Sequence, residues 1–92
     1  MSEERIRRRV VAHGRVQGVF FRDTVGSEAE RRGVAGWVEN RDDGTVEAVF
    51  EGDRDAVEAM VDLAGSGPES ADVANLEAGE EAPEGLSGFE VR

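Results

Sequence analysis

The 92-residue chain contains neither cysteine nor lysine. Without thiols it forms no disulfide, offers no thiolate nucleophile and builds no cysteine-based zinc site. Without lysine it has no Schiff-base amine and lacks the residue that a nucleoside-triphosphate P-loop requires. All eleven basic residues are arginine, and the single histidine, His13, is too little for a multi-histidine metal centre. Aromatics are confined to Phe20, Phe21, Trp37, Phe50 and Phe89, so the core must rest on Val, Ala, Ile, Leu and Met. No apolar run approaches the roughly 18 residues of a membrane span, and residues 1–9 lack the apolar centre of a signal peptide. The expectation is a soluble, cytoplasmic chain with no membrane partner. Its length argues for a single domain over residues 1–92, able to fold alone on a thin margin.

Net charge is −10 and unevenly placed. Residues 1–22 carry six arginines against two glutamates (+4), whereas residues 23–92 carry five arginines against nineteen carboxylates (−14). An acidic body of this kind repels nucleic acid, while a small anion is still drawn to the positive segment. Solubility is the plain meaning of the acidity. Together with the missing lysine and the abundance of Asp, Glu, Gly and Ala, it also points to high salt, where screening relieves self-repulsion of the compact state.

Residues 5–13 alternate, with Ile6, Val10 and Ala12 on one face interrupted by Arg8, which predicts a first strand whose arginine-rich part reaches solvent and which Gly14 breaks. From Phe21 the period lengthens: Phe21, Val25 and Ala29 predict an amphipathic helix, weakened by Gly26, with Arg31 and Arg32 in its last turn and Gly33 just beyond it. Residues 34–40 and 45–51 both alternate and are separated by Asn40-Arg41-Asp42-Asp43-Gly44, a strong hairpin signal. Asp53 is placed to cap a second helix that carries Ala56, Val57, Met60, Val61 and Ala64 inward and stops at Gly65-Ser66-Gly67-Pro68. Residues 71–77 read as a short, weak strand, 78–87 as an acidic loop, and Phe89 and Val91 as a last strand. The order predicts an α+β, ferredoxin-like split βαβ: βαββαβ with a short extra terminal strand, an antiparallel sheet and two helices on one face. That fold does not name a function.

Chemistry concentrates in Gly14-Arg15-Val16-Gln17-Gly18-Val19-Phe20-Phe21-Arg22. Glycines allow backbone N–H groups to converge, the following helix start adds partial positive charge, and Arg22 supplies a planar fork of donors suited to phosphate or carboxylate. Spacing alone fits an ordinary strand-to-helix turn equally well, and neither dinucleotide nor P-loop glycine patterns are present. Asn40, at a strand end before the hairpin turn, is either a turn residue or an amide able to hold a water in line for attack. His13 reads mainly as a strand-end residue, with a minor suspicion because it adjoins the loop. The serines lack a nucleophile-elbow context, and carboxylates are too many for any pair to be informative.

The run Gly14–Arg22, followed by Gly36-Trp37-Val38-Glu39-Asn40 and Asp43-Gly44-Thr45-Val46-Glu47, resembles the signature of the acylphosphatases. Gly52, Gly67-Pro68 and Phe89–Arg92 extend the resemblance over about residues 8–92. Lysine-free composition and the acidic segment 78–85 depart from it. The resemblance implies the ferredoxin-like fold and hydrolysis of acyl phosphates to carboxylate and phosphate, with phosphate as product and inhibitor. By that similarity Arg22 binds the phosphate with backbone amides of Arg15, Val16, Gln17, Gly18, Val19 and Phe20, and Asn40 orients the water. Neither metal, cofactor nor covalent intermediate is expected; a stand-alone enzyme is favoured because Met1 opens the chain and nothing follows Arg92, and a monomer is expected. The competing expectation is a non-catalytic phosphate- or carboxylate-binding module. A nucleic-acid binder is opposed by the acidic body and by the want of exposed sheet aromatics.

Overall fold

Residues 4–92 are described in the computed structural model. Strand β1 (Arg5–Arg15) leads to helix α1 (Phe21–Arg32), the hairpin β2 (Ala35–Asn40) and β3 (Val46–Asp53), helix α2 (Arg54–Ser66), and strands β4 (Asp72–Glu81) and β5 (Phe89–Val91). The sheet order is β4-β1-β3-β2-β5. Four strands are antiparallel as expected, whereas β5 runs parallel to β2 and makes the sheet mixed.

Alternation dictates the core. Ile6, Val10 and Ala12 of β1, Val38 of β2 and Val46, Ala48 and Phe50 of β3 point to one face, because side chains in a strand repeat every second residue. Both helices cover that face, with Phe21, Val25 and Ala29 from α1 and Val57, Met60 and Ala64 from α2. Phe89 stacks on Phe50 at 6.0 Å, which fastens β5 to the same core. Arg8 interrupts the apolar face and reaches Glu58 of α2 at 2.6 Å. Gly36 lets β2 approach β3 closely: a Cβ there would stand 1.8 Å from the carbonyl oxygen of Val49.

Several local expectations are corrected. Gly14 does not end β1; it sits at a register shift after His13, and the strand continues to Arg15. Asp53 occupies the cap position of α2 without a side-chain capping bond. Residues 78–81 extend β4 rather than forming a loop. This edge strand is mostly exposed: Val73 and Leu76 pack partly against the core, and Glu81 pairs with Arg7 at 2.9 Å and Arg9 at 2.7 Å, so beyond the backbone ladder it leaves little apolar period to read.

The arginine-rich face of β1 does not all reach solvent. Arg7 is buried beside Glu51, which is fully buried on the face of β3 opposite the helices. Because β4 and β5 lie at opposite edges, residues 82–88 must cross the sheet. There the N–H groups of Glu84, Gly85 and Leu86 donate to the Glu51 carboxylate at 2.8 to 2.9 Å. Arg5 also donates to Glu51, at 3.1 Å, and to the Leu86 carbonyl oxygen at 2.6 Å. Burial pushes the Glu51 carboxyl up, but these backbone donors and Arg5 outweigh it and hold its pKa at about 2.

Candidate active site

After β1, Val16 drops into the core and the chain turns through Gly18, at φ 71°, to Phe20, at φ 63°. Nothing lies within 4 Å of where a Gly18 Cβ would stand, so glycine is required there by conformation rather than space. Phe20 is the one non-glycine residue with positive φ among those described, a strain of about 1–3 kcal/mol. It caps α1, whose first turn-closing bond runs from Thr24 N–H to the Phe20 carbonyl oxygen. The N–H groups of residues 17–20 donate to no backbone carbonyl in the turns and loops of the described residues. Those free donors and the positive end of α1 therefore share one small region.

Arg22 and Asn40 meet in a cavity of about 210 Å³ whose other walls are Val16, Gly18, Phe20, Phe21 and Asp23. Ten of the eleven arginines have a carboxylate within 4.0 Å; among the described residues Arg22 has none. Its guanidinium donates instead to the carbonyl oxygen of Arg92. In so acidic a chain, that leaves one guanidinium fork uncommitted to the carboxylates of the described residues. Asn40 Oδ1 is buried and accepts no hydrogen bond from the described residues. A buried polar atom in that state costs on the order of 1–3 kcal/mol.

Local chemistry explains why these groups converge. Gln17 Nε2 donates to the carbonyl oxygens of Arg41, at 2.7 Å, and Thr45, at 2.9 Å, so the loop is tied to the hairpin beside Asn40. Asp43 Oδ1 accepts from both the N–H and the hydroxyl of Thr45 and stiffens that turn. These donors hold the Asp43 carboxyl below its ordinary value, the Thr45 hydroxyl first and its N–H next. On the other side, Ser70 donates to the Val19 carbonyl oxygen at 2.6 Å. Arg92, which anchors Arg22, lies 4.5 Å over the Trp37 ring and pairs with Glu39 at 3.0 Å.

Of the loop residues singled out in the sequence, Val16, Gly18 and Phe20 line the cavity, whereas Arg15, Gln17 and Val19 do not. Arg15 is turned away toward the Ser70 carbonyl oxygen at 3.3 Å and Asp72 at 3.6 Å. His13 is also elsewhere, paired with Glu77 of β4. Sequence reasoning missed Gln17 as a side chain, Ser70, Asp23 as a wall, and the Arg92 carbonyl. Gln17 stands inside the motif, but no local pattern says that its amide crosses to the hairpin. Among the described residues no three His, Asp or Glu side chains are placed to hold a metal ion, and no helix is long and apolar enough to cross a membrane.

Fold and site together define a small α+β, ferredoxin-like protein whose glycine loop leads into the first helix beside Arg22 and Asn40. Residues 8–91 match the family model described as acylphosphatase. An acylphosphatase of Haloarcula marismortui is 54% identical over 86 residues, covering 94% of each chain. The solved acylphosphatase of Coxiella burnetii superposes with a TM-score of 0.90 at 37% identity over 100% of both chains. That of Bacillus subtilis gives 0.89 at 39% identity, over 95% of this chain and 98% of the other. The chain belongs to the acylphosphatase family and is an enzyme of that family.

Proposed function

We propose that the chain hydrolyses acyl phosphates in the cavity between the loop and Asn40. The phosphoryl group lies against the backbone amides of residues 15–20 and the start of α1, with the Arg22 fork on its oxygens. Asn40 accepts a hydrogen bond from a water through Oδ1 and holds that water in line with the bond to the leaving oxygen. Water adds to phosphorus as the phosphorus–oxygen bond to the acyl group breaks. The products are a carboxylate, hydrogen phosphate and one proton. A carboxylate leaves readily, so positioning and charge stabilisation suffice without a general acid on the leaving oxygen.

The observation that carries this reading is the meeting in one cavity of Arg22, which among the described residues has no carboxylate partner, with the unsatisfied Asn40 Oδ1. A module that only binds anions would use the loop and Arg22 but has no need of that amide oxygen. The loop, Arg22 and Asn40 need no group from a second copy for this reaction, and a monomeric, cytoplasmic enzyme is the form proposed. The surplus of carboxylates supports operation at high salt.

Hydrolysis of benzoyl phosphate by the purified chain with chelator present, at low and high salt, tests the reading. Turnover is expected. No turnover by folded protein in either condition overturns it.

A further inference from the structure

Phe20 has two properties that folding does not reward. The residue is 72% exposed, so it removes little apolar area from water and contributes little to the core. Its backbone is held at φ 63°, where an aromatic residue is strained and glycine is not. Its neighbours behave differently: Phe21 is buried in the core and Val19 packs against it. Yet Phe20 lines the same cavity as Arg22 and Asn40. Strained residues gather at ligand clamps, and apolar lining at a cavity holding a few convergent polar groups marks where a ligand's apolar part lies.

We propose that the Phe20 ring is the subsite for the acyl group, an inference that rests on the acyl phosphate hydrolysis proposed above. With the phosphoryl group held by the loop amides and Arg22, the acyl group must leave the cavity on a side not closed by the core. Val16 and Phe21 are buried and belong to the closed walls. Phe20 contributes its own N–H to the loop, so its ring is fixed only one residue's reach from the phosphate position. The ring is a flat apolar face with no hydrogen-bonding atom, which favours acyl groups with an apolar body. The Asp23 carboxylate in the same wall disfavours an acyl group carrying a second negative charge. The subsite therefore takes uncharged, apolar acyl phosphates, aromatic ones foremost.

The test compares kcat/KM for benzoyl phosphate and acetyl phosphate in the native enzyme, Phe20→Ala and Phe20→Trp. The benzoyl-to-acetyl ratio is expected to fall about ten-fold in Phe20→Ala, the scale of losing one ring face of buried area, and to stay within about two-fold in Phe20→Trp. Competitive inhibition gives a second measurement: phenylphosphonate should lose its advantage over methylphosphonate in Phe20→Ala by a similar factor. A ratio unchanged in Phe20→Ala overturns the subsite, whether or not the overall rate falls. Failure of the native enzyme to hydrolyse either acyl phosphate would instead overturn the acyl phosphate reading and the inference with it.

Discussion

The side-chain amide of Gln17 donates to the carbonyl oxygen of Arg41 at 2.7 Å, joining the glycine loop to the residue that follows Asn40. Its second bond, 2.9 Å to the Thr45 carbonyl oxygen, spans the hairpin turn from the other side. The two halves of the site are thus held in register by one neutral side chain.

Gln17→Ala should therefore cost more in rate than in stability. Losing two partly exposed hydrogen bonds lowers stability by about 1–2 kcal/mol. Letting the loop drift relative to Asn40 misplaces water and phosphate, and kcat/KM for benzoyl phosphate should drop about ten-fold or more. Urea unfolding and steady-state kinetics on the same preparation separate the two effects. A rate equal to the native one would show that the loop holds its place without this link.

Arg22 and Asn40 should separate binding from chemistry. Arg22→Ala is expected to abolish inhibition by inorganic phosphate. Asn40→Ala should retain that inhibition while kcat falls on the order of 100- to 1,000-fold, the usual loss for one preorganised group. If Asn40→Ala bound phosphate as poorly as Arg22→Ala, the two roles would be misassigned.

Glu51 predicts an acid-sensitive fold. Its carboxyl is lowered from 4.5 to about 2 in the folded chain by the N–H groups of residues 84–86 and Arg5, against the upward push of burial. The folded value lies below the unfolded one, so the stabilisation is complete above about pH 4.5 and is lost as pH falls toward 2. A shift of this size corresponds to about 3 kcal/mol. Glu51→Gln leaves Arg7 with Glu81 and Glu84 but removes the charge that Arg5 and the loop N–H groups hold, and should lower stability at pH 7 by about 3 kcal/mol. The gap between native and variant should narrow as acid protonates Glu51. Denaturant titrations at pH 7 and pH 3 check this; an equal gap at both would count against the assignment.

Salt should raise the melting temperature. Carboxylates outnumber arginines 21 to 11, and increasing salt from about 0.1 M to 1 M shortens the screening length from about 10 Å to about 3 Å. Screening also weakens the surface ion pairs, but those contribute little individually, so relief of net repulsion should win. Calorimetry over a salt series decides it. A melting temperature that fell or stayed level would exclude adaptation to high salt.

Much of this protein was legible in its residue order. Phe21, Val25 and Ala29 announced α1, and the alternation on either side of Asp43-Gly44 announced the hairpin, because periodic burial of one face leaves its period in the sequence. The same order marked the loop, Arg22 and Asn40, since a tight turn, a guanidinium and an amide must each be spelled locally. Strand β4 was only half visible: it is an edge strand paired through its backbone and exposed along most of its length. Burial of Arg7 and Glu51 was invisible, since it depends on residues 82–88 crossing the sheet to supply donors. The status of Arg22 belongs to the tertiary structure as well. That it alone lacks a carboxylate partner among the described residues follows from where the other ten arginines find theirs, across strands and helices distant in the chain. Sequence determined which groups exist and which face of each element is buried. Only the folded sheet decided which charges neutralise one another and which guanidinium, among the described residues, is left without a carboxylate beside Asn40.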